Sequence, residues 1–202
     1  MLLYDNNISG NCYKVRLLFA QLGIEYEARE LSVFDRADRP EVLGGLNPAL
    51  RVPTVVLDDG RTLAESNAIL CYFAEGTPLL PEDRFEHAQV LQWLFFEQYS
   101  HEPFIAVTRF WAHAGSTPPD AELEAKRRGG HAALQAMEGH LAEREYLVAE
   151  RYTIADIALY AYTHVAPEGG FELNPYPAIR RWLDRVRGQA GHVTIDARPP
   201  SG

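Results

Sequence analysis

The spacing of apolar residues changes character once along this chain, near Gly76. Before that point short apolar runs alternate with helical patterns; beyond it almost every segment carries helical spacing. Lone strands leave backbone groups unpaired, so the runs at 2–4, 24–31 and 54–64 must share one small sheet covered by the intervening helices. Long helices separated by short breaks imply antiparallel neighbours in a bundle. The pattern therefore predicts an α/β unit over 1–76 and an all-helical unit over 84–190, joined by the proline-containing connector GTPLLPED.

Within the first unit, residues 13–22 read as a helix stopped by Gly23, 40–46 as a short helix and 67–73 as a helix closed by Gly76. Residues 54–64 form a hairpin around Asp59-Gly60. In the second unit a helix over 85–99 meets Pro103, which is expected to kink or break it before helix resumes through 111. Pro118-Pro119 starts a helix to about 143, and Thr153-x-x-Asp156 starts another to 165 in the manner of a capping box. Pro177 opens the last helix, to about 187, and the tail GHVTIDARPPSG is expected to be loosely ordered.

Composition narrows the function classes. At 202 residues and 47% hydrophobic, the chain can bury a real core. Its net charge of -9 disfavours nucleic acid as a partner, and Lys126-Arg127-Arg128 lies in a Glu-rich helical stretch that reads as a solvated face. Two cysteines and seven scattered histidines have no metal-ligand spacing, so no metal site is expected. The start has no signal-peptide pattern, and no apolar run approaches the roughly 20 residues a bilayer demands. The expectation is a cytoplasmic protein without membrane contact.

Three short motifs carry chemistry. NISGNCYKV follows the first strand and leads into a helix, so backbone N–H groups there face whatever occupies the loop, with Ser9, Asn11 and Cys12 beside them. Val52-Pro53 stands before a strand; a cis bond would turn the N–H and C=O of Val52 outward to pair with an extended peptide, whereas a trans bond makes it an ordinary turn proline. Glu65-Ser66 opens a helix, where Ser66 and free N–H groups favour a carboxylate and Glu65 an ammonium; a plain N-cap beside an exposed glutamate has the same sequence.

The three motifs in this order, each after a strand of one small unit, describe a cleft for a peptide with an amino-acid head and a thiol at its middle. With SGNCYKVRLLFAQLGIEYE, LNPALRVPTVVLDDGRTLAESNAILCYFAE and YTIADIALYAY, the chain resembles the cytosolic glutathione transferases over residues 1 to about 190. The resemblance implies a thioredoxin-like N-terminal domain followed by an all-α domain, and a homodimer engaged in detoxification. Glutathione would be the co-substrate, activated as thiolate for attack on a small hydrophobic electrophile. Ser9 falls where theta- and delta-like classes keep a catalytic serine, and Asn11 matches an asparagine of a bacterial nu-like pattern whose members act on disulfides. Arg51, Val52, Pro53, Glu65 and Ser66 would bind glutathione, and Tyr99, Phe104 and Trp111 would line the electrophile site. Theta-type relatives carry a histidine near Asp38 for the glycine carboxylate; Arg36 or Arg39 would have to compensate. Cys12 reads as a small apolar residue on the inward face of its helix. The alternatives are a glutathione-dependent disulfide reductase and a binding protein of the same fold without turnover.

Overall fold

The computed structural model describes residues 1–198. The described residues form two compact units: Met1–Glu75 together with residues 190–198, and Gly76–Gln189.

In the first unit β1 (Leu2–Asp5) is followed by α1 (Gly10–Leu22) and β2 (Glu27–Glu30), which lies parallel to β1. After the short α2 (Arg39–Leu43), β3 (Thr54–Val56) pairs antiparallel with the other side of β1, and β4 (Thr62–Ala64) pairs antiparallel with β3. The order is β2-β1-β3-β4, with α3 (Ser66–Ala74) after the last strand. Alternation along β1 sorts its side chains to opposite faces. Leu3, with Val55 opposite, packs against Val15 and Phe19 of α1 and Ile69 of α3, while Tyr4 packs with Leu31 and Leu43.

Two boundaries differ from expectation for local reasons. Helix α1 starts three residues earlier because Ser9 is its N-cap, extended at φ -74° and ψ 118°, with Oγ accepting from the N–H of Cys12. Strand β2 is shorter, and all four of its residues are exposed. It is the sheet edge, and Ile24 and Tyr26 before it turn onto the core instead. The tail is a correction. Residues 190–198 belong to the first unit and lie against α1, where Tyr13 and Arg16 donate hydrogen bonds to their carbonyls. Pro199 to Gly202 lie outside the described residues.

In the second unit α4 (Arg84–Phe96), capped by Asp83, does not break at Pro103. It widens into one π turn, Glu97–His101, and continues as α5 (Glu102–Ala114). The N–H of Glu102 bonds Glu97 O, five residues back. Proline therefore falls in the first turn of the new helix, where its missing N–H costs nothing. Helices α6 (Asp120–Leu141), α7 (Ile154–Thr163) and α8 (Pro177–Arg187) follow, with a 3-10 turn at Ala166–Gly169. In α6 a Cβ on Gly129 or Gly130 would stand 2.2 Å from the Phe104 ring and 2.4 Å from that of Phe171. The glycine pair, costly in a helix interior, admits both rings.

Every residue of α7 is buried, and its start anchors the unit. Thr153 Oγ accepts from Ala155 N–H, and the Asp156 carboxylate accepts from Thr153 N–H (2.9 Å) and Leu147 N–H (3.1 Å). The indole N–H of Trp182 reaches the same carboxylate at 2.9 Å. Burial pushes the Asp156 acid up to about 6, against these donors, which favour the carboxylate.

Asp156→Ala is expected to lower unfolding stability by about 3 kcal/mol or more, since it strands several buried donors at once. Thermal or denaturant unfolding measures it. The folded-state value lies above that of an unfolded aspartate (about 3.9). The stability from this group is therefore full below about pH 4 and lost as pH rises to about 6. Asp156→Asn should remove that part of the pH dependence.

Candidate functional site

Helices α1 and α3 begin beside each other in the first unit. The Ser66 hydroxyl donates to Asn11 Oδ1 at 3.1 Å, and the Lys14 ammonium reaches Ser66 Oγ (3.3 Å) and Asn67 Oδ1 (3.2 Å). Two N-terminal helix ends thus share one polar cluster with a buried ammonium. Such a place attracts anions.

Ser9 stands half-buried at the head of α1. Its Oγ accepts from Cys12 N–H at 3.3 Å, and a hydroxyl that accepts through a lone pair retains its own proton for donation. Cys12 is fully buried. Burial, with the Asp5 charge adding to it, pushes its thiol far above the usual range, so it is a core residue and not a nucleophile.

The Val52-Pro53 peptide bond is cis. Among the described residues the backbone of Val52 makes no hydrogen bond, although Arg51 O accepts from Thr54 Oγ1 (2.8 Å) and Asn47 Nδ2 (3.0 Å). Arg51 is exposed. Glu65 is the N-cap of α3, exposed, at φ 68° and ψ 113°. A glutamate at positive φ carries backbone strain, which recurs at ligand sites. Here the sequence expectation is corrected: Ser66 is the first residue of α3 and not its cap, and its hydroxyl turns across to Asn11.

Arg39 is corrected too. Its guanidinium is buried and donates to Leu50 O (2.9 Å) and Ser32 O (2.6 Å), so it braces the chain around α2. Arg36 is exposed and bonds Val33 O. In the second unit Tyr99 is 85% exposed, Trp111 is half-buried and Phe104 packs on α6 with Lys126 over its ring. A groove of about 1130 Å³ also exists in the first unit, walled by Phe19, Ile24, Tyr26 and Val193. None of the candidate residues lines it.

Sequence reasoning missed Lys14. The signal was present: Lys14 stands three residues after Asn11 and four before Leu18, on one face of the helix.

Comparison with known proteins agrees with this architecture. Residues 8–75 match the glutathione S-transferase N-terminal domain and residues 96–190 the glutathione S-transferase C-terminal domain. The chain belongs to the glutathione S-transferase family. It is 45% identical to a solved glutathione S-transferase from Pseudomonas fluorescens Pf-5, with a TM-score of 0.92 over 96% of this chain and 98% of that one. It is 31% identical to glutathione S-transferase D7 of Anopheles gambiae over 94% of this chain and 88% of the relative. A third relative, disulfide-bond oxidoreductase YfcG of Escherichia coli K12, is 28% identical over 89% of this chain and 86% of its own length.

Cys12 should resist a maleimide at neutral pH in the folded protein and react only after unfolding. Mass spectrometry of labelled peptides reads this directly; rapid native labelling at Cys12 would contradict its core role.

Proposed function

We propose that this protein binds glutathione in its α/β unit and holds the sulfur as thiolate through Ser9, for attack on a small hydrophobic electrophile. The observation that carries the reading is Ser9 at the N-cap of α1, its hydroxyl proton still to donate, beside the clustered starts of α1 and α3. In this reading Val52 pairs through its backbone with the cysteinyl unit, and Pro53 ends that edge. Glu65 meets the γ-glutamyl ammonium, Ser66 and the N-terminus of α3 meet its carboxylate, and Arg51 meets the glycine carboxylate.

A free thiol has a pKa of about 8.5. Lowering it by about 2 units takes ~2.7 kcal/mol, within reach of one hydrogen bond to a charged sulfur plus a helix terminus. The proton leaves to solvent; the thiolate forms a carbon–sulfur bond as the leaving group departs. Ser9 is thus a hydrogen-bond donor and not the attacking atom, and Asn11 supplies a second donor. Tyr99, Phe104 and Trp111 are the proposed electrophile contacts; exposure favours Tyr99, and packing on α6 makes Phe104 the weakest of them.

A second reading is a glutathione-dependent disulfide reductase, favoured by Asn11 and by the name of the Escherichia coli relative. The same thiolate would attack a disulfide sulfur. Conjugation of an aryl halide against reduction of a small disulfide separates the two, and neither reaction at any rate marks a binding protein.

Ser9→Ala should raise the pKa of the bound thiol, read from thiolate ultraviolet absorbance, and lower turnover far more than glutathione affinity. A pKa that stays in place sinks this role for Ser9; if Asn11→Ala moves it instead, the reductase-like pattern gains. Glu65→Ala and Ser66→Ala should each weaken glutathione binding roughly tenfold or more, because each leaves one charge of the γ-glutamyl head without its partner. Calorimetric titration decides it.

We also propose a homodimer. Phe85 and Phe95 are 70% and 71% exposed on α4, and large apolar side chains so placed call for a covering surface. With a net charge of -9 the contact must be largely apolar. Light scattering at micromolar concentration should give about twice the monomer mass with little salt dependence; a stable monomer would count against the assembly alone.

A further inference from the structure

The segment after α8 lies along α1, the helix that carries Ser9 at its head. Gly191 permits the approach. It sits at φ 71°, and a Cβ there would stand 2.9 Å from Gln21 Cα and 3.0 Å from Ala20 O. Further on, the Tyr13 hydroxyl donates to Val193 O at 2.7 Å and Arg16 Nη2 donates to Ile195 O at 2.6 Å. Arg198 pairs with Glu30 of β2 at 3.1 Å.

Arg16 is the junction. Its guanidinium is buried and pairs with the buried Asp5 carboxylate at the end of β1. Nη1 donates to Asn6 O at 3.0 Å, and Nη2, besides Ile195 O, reaches Asn7 O at 3.3 Å. Asn6 O also accepts the N–H of Ser9 at 3.3 Å. One planar fork therefore connects a tail carbonyl to the carbonyl that receives the backbone of Ser9. Arginine suits this because its donors are fixed in one plane and always charged. The loop has other ties: Asn6 Nδ2 donates to Leu31 O at 2.9 Å, and Asn6 Oδ1 accepts from Ile8 N–H at 3.2 Å. These fix the Asn6 side chain; they reach neither its carbonyl nor Asn7.

We infer that residues 190–198 form a strap over α1, and that Arg16 is a positioning residue carrying the strap's hold to the loop that sets Ser9. This rests on the reading of Ser9 as the partner of the glutathione sulfur. Losing the strap removes the Ile195 acceptor from a buried guanidinium, which must re-aim its fork or leave a donor unpaired. Either response loosens Asn6 and Asn7, and Ser9 with them. A strap that merely stabilised the fold would shift unfolding without changing the chemistry of the sulfur.

The test uses the full chain. Gly191→Val places a β-branched side chain at positive φ against Gln21 and lifts the strap, leaving Arg16 and Asp5 intact. The expected result is faster amide exchange at residues 6–9, by about tenfold, at unchanged KM for glutathione. With it, the thiolate pKa of bound glutathione should rise by about one pH unit. Arg16→Met should reproduce both effects, and Arg16→Lys, which keeps the charge against Asp5 but not the fork, should fall between. Unchanged exchange at 6–9 in Gly191→Val, while the Ala197 amide exchanges freely, overturns the inference. So does faster exchange with a thiolate pKa that stays in place although Ser9→Ala moves it. If Ser9→Ala leaves that pKa in place as well, the thiol reading has failed, and exchange at 6–9 alone decides whether the strap holds the loop.

Discussion

The hydrogen bond between Ser66 and Asn11 joins the first turns of two helices that follow different strands. Helix N-termini repel one another, since each presents unpaired N–H groups. Here the acceptor oxygen of an amide side chain accepts a hydrogen bond from the serine hydroxyl, and the Lys14 ammonium beside them adds still more positive character. The arrangement concentrates positive potential in a chain whose net charge is -9. Local polarity and overall charge are thus opposed: positive character gathers at the two helix starts while the protein as a whole repels polyanions.

Much of this was legible in the residues. Period-two and helical patterns located the sheet and the bundle because each element buries one face, and burial leaves a spacing in the sequence. Thr153 and Asp156 declared a helix start because both halves of a capping box are local. Ser9, Glu65 and Ser66 could be placed near helix starts for the same reason. What was not legible depended on partners distant in sequence. Ser66 reads as a cap that accepts from its own helix; that its hydroxyl instead donates to Asn11 follows from the sheet order, which brings the two helix starts together. Arg39 read as a candidate partner for the glycine carboxylate because the carbonyls of Ser32 and Leu50 that hold it carry no sequence signal. The tail looked loose because its bonds from Tyr13 and Arg16 are accepted by backbone carbonyls, which leave no side-chain pattern in the sequence.

The helical unit shows the same division between local and distant determinants. A proline in a helical pattern signals a break, yet Pro103 sits in a helix that continues. The π turn before it shifts the bonding by one residue, so the missing donor coincides with a place where none is needed. Glu97 and His101 are buried in that turn, and His101 Nε2 lies 2.9 Å from Thr163 Oγ1 of the wholly buried α7. A wide turn lined by polar groups thus faces a polar partner on the central helix.

The return of the chain to its first unit has a consequence for how the molecule is made. During synthesis β1 to β4 and the helices around them leave the ribosome early, and the sheet can close. The last contributors to the first unit, Val193 and Ile195, whose carbonyls pair with α1, come only after the whole helical unit has been translated. Tyr13 and Arg16 must wait through that interval with water in place of their final acceptors. A nascent chain therefore holds a finished sheet while the loop before Ser9 still lacks the bond from Arg16 to Ile195, until translation has passed residue 195.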